Sequence, residues 1–239
     1  MTRRAQPVPR LDPDIARLAG ALADPSRIAM LDALLDGAAH PIGALARRAG
    51  VSAATASGHL RRLIDEHLVT VDQDGPRRRV RLAGPAVGHL LEAIAALAAP
   101  ARSSVPATPA ATTRARELRF ARTCYDHLAG AVGVGVTRAL VDRRWLGTGD
   151  DGFAATPALL GWLAGHGRAI ADEPRTRRPL VRSCLDWSER TPHVAGRIGA
   201  AIAELALAEK WVVRVRDSRA LRLTDRGRSA FASELSASF

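Results

Sequence analysis

The stretch from Pro41 to Leu68, PIGALARRAGVSAATASGHLRRLIDEHL, limits the possible folds more than any other part of the chain. It reads as two short helices around a tight turn. Ile42, Leu45 and Ala46 fall on one face of the first helix. Gly50 lets the backbone leave that helix with φ > 0, and Val51 plugs the corner. Ser52 is placed to cap the second helix, because its hydroxyl can accept a backbone N–H two or three residues on. Ala56, Leu60, Leu63, Ile64 and Leu68 then form an apolar stripe at spacings of three and four. The other face carries Ser52, Thr55, Ser57, His59, Arg61 and Arg62, with Ala53 beside them. That is the make-up of a helix that enters a DNA major groove. It offers short donors for base edges, and arginines for phosphates or guanine. The bland alternative is a helical hairpin with a solvated basic face.

The next stretch favours DNA. Val69 to Asp72 reads as a strand, Gln73-Asp74-Gly75-Pro76 as a turn, and Arg77 to Leu82 as the returning strand, since Asp-Gly between such runs signals a hairpin. Val80 and Leu82 alternate with Arg79 and Arg81, so one face is apolar and the other basic. With Arg77, Arg78 and Arg79 at its tip and outer face, the hairpin is a candidate DNA-binding wing. Asp24-Pro25-Ser26-Arg27, the helix pair with Ser57-Gly58-His59-Leu60, and the arginine-rich hairpin resemble the winged-helix repressors of the ArsR/SmtB-type family. The resemblance covers about Leu18 to Leu97. It implies a homodimer that binds operator DNA and releases it when an effector binds.

The flanking helices fit that domain. Asp14 to Leu22 presents Ile15, Leu18 and Leu22 on one face. Pro25 to Leu35 is expected to bury Ile28, Leu31 and Leu34 or Leu35, and Pro85 to Leu97 carries a stripe of Val87, Leu90, Leu91, Ile94 and Leu97. In the resembled family this last helix packs on its twin in the dimer. Metal-sensing members carry Asp-x-His and His-x-x-Glu there, or Cys-x-Cys in the helix before the recognition helix. This chain has only His89 and Glu92 in the first place, and no cysteine in the second.

A formal net charge of +11, almost all of it arginine (Lys210 is the only lysine), suggests a polyanionic partner, although the surplus is not confined to the first half. Two cysteines are too few for a disulfide framework. No apolar run reaches transmembrane length and Met1 to Arg10 lacks a signal-peptide core, so a reducing cytoplasm is the expected setting. The sequence is expected to divide into a disordered basic arm (1–10), the winged domain (11–98), a Pro/Ala/Ser/Thr linker (99–114) and a carboxy-terminal domain (115–239). The fold class expected is mainly α with small β wings, α+β.

The carboxy-terminal half reads as a duplication, over about 120–165 and 180–237. Arg122-Thr-Cys124-Tyr-Asp126-His127-Leu-Ala-Gly130 is echoed by Arg182-Ser-Cys184-Leu-Asp186 and His193-Val-Ala-Gly196, with Trp187 to Pro192 inserted. Gly133 then answers Gly199, Val136 answers Ile202 and Trp145 answers Trp211. Each copy is expected to be a helix, a hairpin and a short helix that stacks on its twin. Three readings of Cys124, His127, Cys184 and His193 stand side by side. They could ligate zinc or another divalent ion, Cys124 and His127 being one helical turn apart. The cysteines could form a redox disulfide. Or all could be structural, with Asp126 and Asp186 as helix caps. A small organic effector could instead sit among Tyr125, Trp145, Trp187 and Trp211. No nucleophile elbow or phosphate-cradling loop occurs, and a Cys/His hydrolase would lack a third, orienting group, so a non-enzyme is expected.

Overall fold

The computed structural model describes residues 14–74, 77–98, 109–149, 152–170, 178–216 and 218–239. The arm expected over 1–10, the turn residues 75–76 and residues 99–108 of the expected linker lie outside them.

Side-chain caps start the first two helices. Asp14 accepts the Arg17 N–H at 2.9 Å and opens α1 (Ile15–Leu22). Asp24 accepts the Arg27 N–H at 2.8 Å, and Pro25 begins α2 (Pro25–Leu34), where its missing N–H leaves no bond unmade. α2 buries Met30, Leu31, Ala33 and Leu34, while Ile28 is exposed, contrary to expectation. At about 100° per residue the buried face is centred between residues 30 and 34, which puts residue 28 on the far side.

The short β1 (His40–Pro41) leads into α3 (Ile42–Ala49), which Gly50 ends in the left-handed region at φ 66°. Ser52 caps α4 (Ala53–Asp65) by accepting the Thr55 N–H at 3.1 Å. Ala56, Leu60 and Leu63 are buried, and Ile64, on the edge of that stripe, is exposed. β2 (Val69–Asp74) and β3 (Arg77–Leu82) form the antiparallel wing, with Val71 opposite Val80, and β1 completes a sheet of order β1-β3-β2. Val80 and Leu82 point into the core, where they meet Leu31, Leu45 and Leu63. Truncating such a buried leucine to alanine costs about 2–5 kcal/mol. α5 (Pro85–Leu97) closes this domain.

α6 (Pro109–Phe120) begins inside the stretch expected to be linker. Its alanines, arginines, glutamate and leucine are good helix formers, although they show little apolar period. The carboxy-terminal domain then runs hairpin β4 (Arg122–Cys124)–β5 (His127–Ala129), helix α7 (Gly130–Asp142), hairpin β6 (Leu146–Gly149)–β7 (Gly152–Ala155), helix α8 (Pro157–Gly165). The same order returns in β8 (Arg182–Leu185)–β9 (Pro192–Ala195), α9 (Gly196–Ala208), β10 (Val212–Arg214)–β11 (Leu221–Leu223), α10 (Asp225–Leu235). The expected helix–hairpin–helix therefore lacks one element, the hairpin ahead of α7 and of α9. Its strands of three or four residues are too short for alternation to be seen in sequence.

The two sets pack crosswise, β5 against α9 and β9 against α7. Thr137 on α7 accepts the Val194 N–H of β9 at 2.9 Å. One core takes Val132, Val136 and Leu140 from α7 together with Ile198, Ile202 and Leu205 from α9. Gly130 and Gly196 open these helices at φ 75° and 81°. A Cβ at Gly130 would meet the Arg119 carbonyl oxygen at 2.5 Å. Among the described residues no helix is long and apolar enough to cross a membrane.

Candidate DNA reader and candidate metal centre

The outer face of α4 is built as the sequence predicts, with one exception. Ser52, Ala53, Thr55, Ser57, Arg61 and Arg62 are exposed. Ser52 and Thr55 hydroxyls lie 2.9 Å apart, and Ser57 Oγ donates to the Ala53 carbonyl at 2.9 Å. Arg62 leans toward Glu66 at 3.6 Å. His59 departs from the expected base-edge position. It is half-buried, with Nδ1 3.5 Å from Arg27 Nη1 and Nε2 3.9 Å from Asp24. The Arg27 guanidinium is itself held by the carbonyls of Ala21 and Gly20, so the Asp-Pro-Ser-Arg motif locks α1, α2 and α4 together. On the wing Arg78 is exposed and Arg79 half-buried; the Arg77 side chain lies outside the described residues.

The four cysteine and histidine residues come together in the carboxy-terminal domain. Cys124 and His127 face each other across the two-residue Tyr125–Asp126 turn of the β4–β5 hairpin. Their spacing of three is thus the two arms of a hairpin, not one turn of helix as expected. Cys184 and His193 are the corresponding pair in β8–β9, and the inserted residues form the longer connection between them. The two Sγ atoms lie 3.8 Å apart and the two Nε2 atoms 3.1 Å apart. All four ligand atoms are within 4.8 Å of one another, and all four residues are buried.

The two aspartates that the sequence assigns to helix caps stand behind the histidines. Asp126 Oδ1 is 3.3 Å from His127 Nδ1, and Asp186 Oδ2 is 3.7 Å from His193 Nδ1. Each imidazole therefore turns Nε2 inward and Nδ1 toward a carboxylate. Asp186 also accepts the Gly130 N–H at 2.7 Å, so it serves a helix start as well, that of the other copy. Arg122 at 3.0 Å, Ser188 Oγ at 2.7 Å and the Ser188 and Glu189 N–H groups at 2.9 and 3.1 Å complete its shell. Burying an ion pair costs several kcal/mol per charge unless its hydrogen bonds are filled. Here Asp186 fills its own with five donors.

The field inside the centre separates the thiols. Burial pushes the Cys124 thiol up, helped by its contact with Cys184. Cys184 is held low by the hydrogen bond from Cys124, against the opposing effect of burial, and by His127 and His193. Burial works against charge on His127, but Asp126 and Cys184 outweigh it and raise its pKa. Asp186 stays well below the usual carboxylate range; burial opposes this, and Arg122, Ser188 and Gly130 overcome it.

Other candidates fare differently. Tyr125, Trp145, Trp187 and Trp211 do not share a pocket. Tyr125 packs on the winged domain, Trp211 is buried in the carboxy-terminal core with Trp145 at its edge, and the Trp187 ring lies under Arg122 at 4.5 Å. Large aromatic rings were scarce enough in sequence to look like a set, but the repeat places Trp145 and Trp211 as core residues. On α5, Glu92 is buried and paired with Arg219, and His89 bonds Arg182 through Nδ1. Neither carries the α5 metal site of the resembled family.

A three-stranded wing behind a capped helix-turn-helix, with exposed hydroxyls and arginines on its outer face, defines a winged helix-turn-helix DNA-binding protein. A helix-turn-helix domain family matches residues 22–72. Over 225 residues the chain is 37% identical to the uncharacterized HTH-type transcriptional regulator YdfF of Bacillus subtilis, covering 94% of this chain and 98% of that one. It is 39% identical over 87 residues to the HTH-type transcriptional regulator CmtR of Mycobacterium tuberculosis, covering 35% of this chain and 73% of that one. Among solved structures, a homodimeric winged helix-turn-helix DNA-binding domain from Mycobacterium bovis, described as a possible ArsR-family regulator, aligns at 29% identity. That match covers 39% of this chain and 86% of the other, with a TM-score of 0.34. The chain belongs to the HTH-type transcriptional regulators. It is a DNA-binding transcription regulator and not an enzyme.

Proposed function

We propose that this regulator is a homodimeric repressor whose operator binding responds to a divalent metal ion held by Cys124, His127, Cys184 and His193. The observation that carries this reading is the 3.8 Å between the two sulfurs. Tetrahedral bonds of about 2.3 Å to a zinc-sized ion put two thiolates about 3.8 Å apart. Two thiolates balance a divalent charge, and two imidazoles complete the borderline donor set such ions prefer. Asp126 would fix the His127 tautomer with Nε2 free to ligate, and Asp186, 3.7 Å from His193 Nδ1, would place a negative charge behind the other imidazole. On this reading the extension is two copies of one hairpin–helix–hairpin–helix unit, each supplying a cysteine, an aspartate and a histidine, and a reducing cytoplasm keeps the thiols available.

A dimer is supported by apolar side chains that one chain leaves uncovered. Ile15 on α1 is 73% exposed, and Ile94 and Leu97 on α5 are 41% and 85% exposed. A two-fold pair would read an inverted repeat, with half-sites about 10 bp apart or a multiple of it. A disulfide between Cys124 and Cys184 is the second reading that the sulfur distance permits. It leaves the facing histidines and their carboxylates without a role. The test is operator affinity of the purified protein with zinc and with a chelator. A change of about fivefold or more is expected. Equal affinities would remove the metal as effector.

A further inference from the structure

The β4–β5 hairpin, which carries the candidate ligands Cys124 and His127, has its turn packed against the DNA-binding domain. Tyr125 sits between the candidate ligands Cys124 and His127. Its N–H donates to the Leu35 carbonyl, at the end of α2, at 2.9 Å. Its side chain packs on the core of the winged domain. Two glycines make room for it, one from each flanking helix region. A Cβ at Gly37 would lie 2.8 Å from the Tyr125 carbonyl oxygen. A Cβ at Gly88 on α5 would lie 3.0 Å from Tyr125 Cβ. α2 in turn holds the recognition helix, through Leu31 and Leu34 beside Leu60 and Leu63 and through Arg27 against His59.

We propose that the Tyr125–Asp126 turn is the element that carries the state of the metal centre to the DNA reader. This rests on the metal reading above. A ligand shifts an equilibrium only by its differential affinity for two states, so the coupling needs a part that both sites touch. The turn is such a part. An ion that draws Cys124 and His127 toward Cys184 and His193 sets the hairpin's conformation. The hairpin tip is gripped by α2 and α5, so the same movement bears on the recognition helix and on the apolar dimer face of α5. By linkage, operator DNA must then change metal affinity by the factor by which metal changes operator affinity.

Tyr125→Gly tests the proposal. Tyr125 has φ 61°, which glycine adopts freely, so the hairpin and its two ligands keep their places while the side chain is removed. Metal affinity, followed by cobalt absorption, is expected to stay within about threefold of the parent. The ratio of operator affinities with and without zinc is expected to fall from about fivefold or more to below about twofold. Gly88→Ala approaches the same contact from α5, pressing a methyl on Tyr125 while leaving the hairpin's own sequence unchanged, and should shrink the ratio too. It also serves if Tyr125→Gly fails to fold. Both variants retaining the parent ratio would overturn the proposal, and so would loss of metal binding in Tyr125→Gly, which would make the turn a support for the ligands alone. If the parent protein binds no metal, or binds it without changing operator affinity, the function proposed above fails first and takes this coupling with it.

Discussion

The sulfur atoms of Cys124 and Cys184 lie 3.8 Å apart although sixty positions separate them in the chain. Two hairpins, β4–β5 and β8–β9, bring them together. Cys124→Ser and Cys184→Ser are each expected to weaken metal binding by about a hundredfold or more, since a thiolate is replaced by a hydroxyl that stays protonated. Asp126→Asn should weaken it by about 10–100-fold through the orientation of His127. Asp186→Asn instead takes from the buried Arg122 its nearer carboxylate, leaving Glu92 at 3.9 Å, and should cost up to about 3–5 kcal/mol of stability. Metal titration alongside urea unfolding separates the two effects.

Arg78 on the wing is exposed and free to reach phosphate. Arg78→Ala should weaken binding to all DNA alike and reduce the slope of log affinity against log salt by about 0.9. Thr55→Ala, on the outer face of α4, should instead change which operator is preferred, by about 1–3 kcal/mol at the affected base pair. An unchanged salt slope in Arg78→Ala would remove the wing from the DNA interface.

Leu97, at the end of α5, is the most exposed of the large apolar residues described. Leu97→Glu is expected to shift sedimentation toward monomer at micromolar protein and to lower operator affinity with it. A parent protein that sediments as a monomer under these conditions would contradict the two-fold reading.

The cap on α2 gives a stability prediction with a pH signature. Asp24→Ala should cost about 1 kcal/mol at neutral pH. The Asp24 carboxyl is held below its ordinary pKa of 3.8, first by the Arg27 N–H and then by the charge of Arg27. A depressed carboxyl stabilises the fold above its unfolded pKa, and this is lost as pH falls through the folded value. The stability gap between parent and Asp24→Ala should therefore hold from neutral pH to about 4 and close below it. Chemical denaturation across that range measures it.

Most of the reader was legible because its signals are local. Asp24, Pro25, Gly50 and Ser52 each act within one turn, and the structure uses each as a cap or a helix end. The misreadings come from non-local packing. His59 carries the periodicity of the outer face, but Arg27 from another helix draws it inward. Ile28 and Ile64 fit a stripe by spacing, yet the rotation of their helices leaves them outside. The Cys/His set could be chosen in advance because the repeat singled it out. Its geometry could not, since a spacing of three serves a helical turn and a two-residue hairpin equally. The roles of Asp126 and Asp186 were hidden because Asp126 bonds a histidine nitrogen, and the Asp186 shell reaches Arg122 and Gly130, more than fifty positions away.

The most direct test of the account is a cobalt titration of the reduced, purified chain followed by absorption. The account predicts one ion per chain, with the intense visible bands of a tetrahedral ion and a sulfur-to-metal charge-transfer band, and with both lost in Cys124→Ser and Cys184→Ser. Weak bands of an octahedral ion, or a spectrum indifferent to both cysteines, would contradict it.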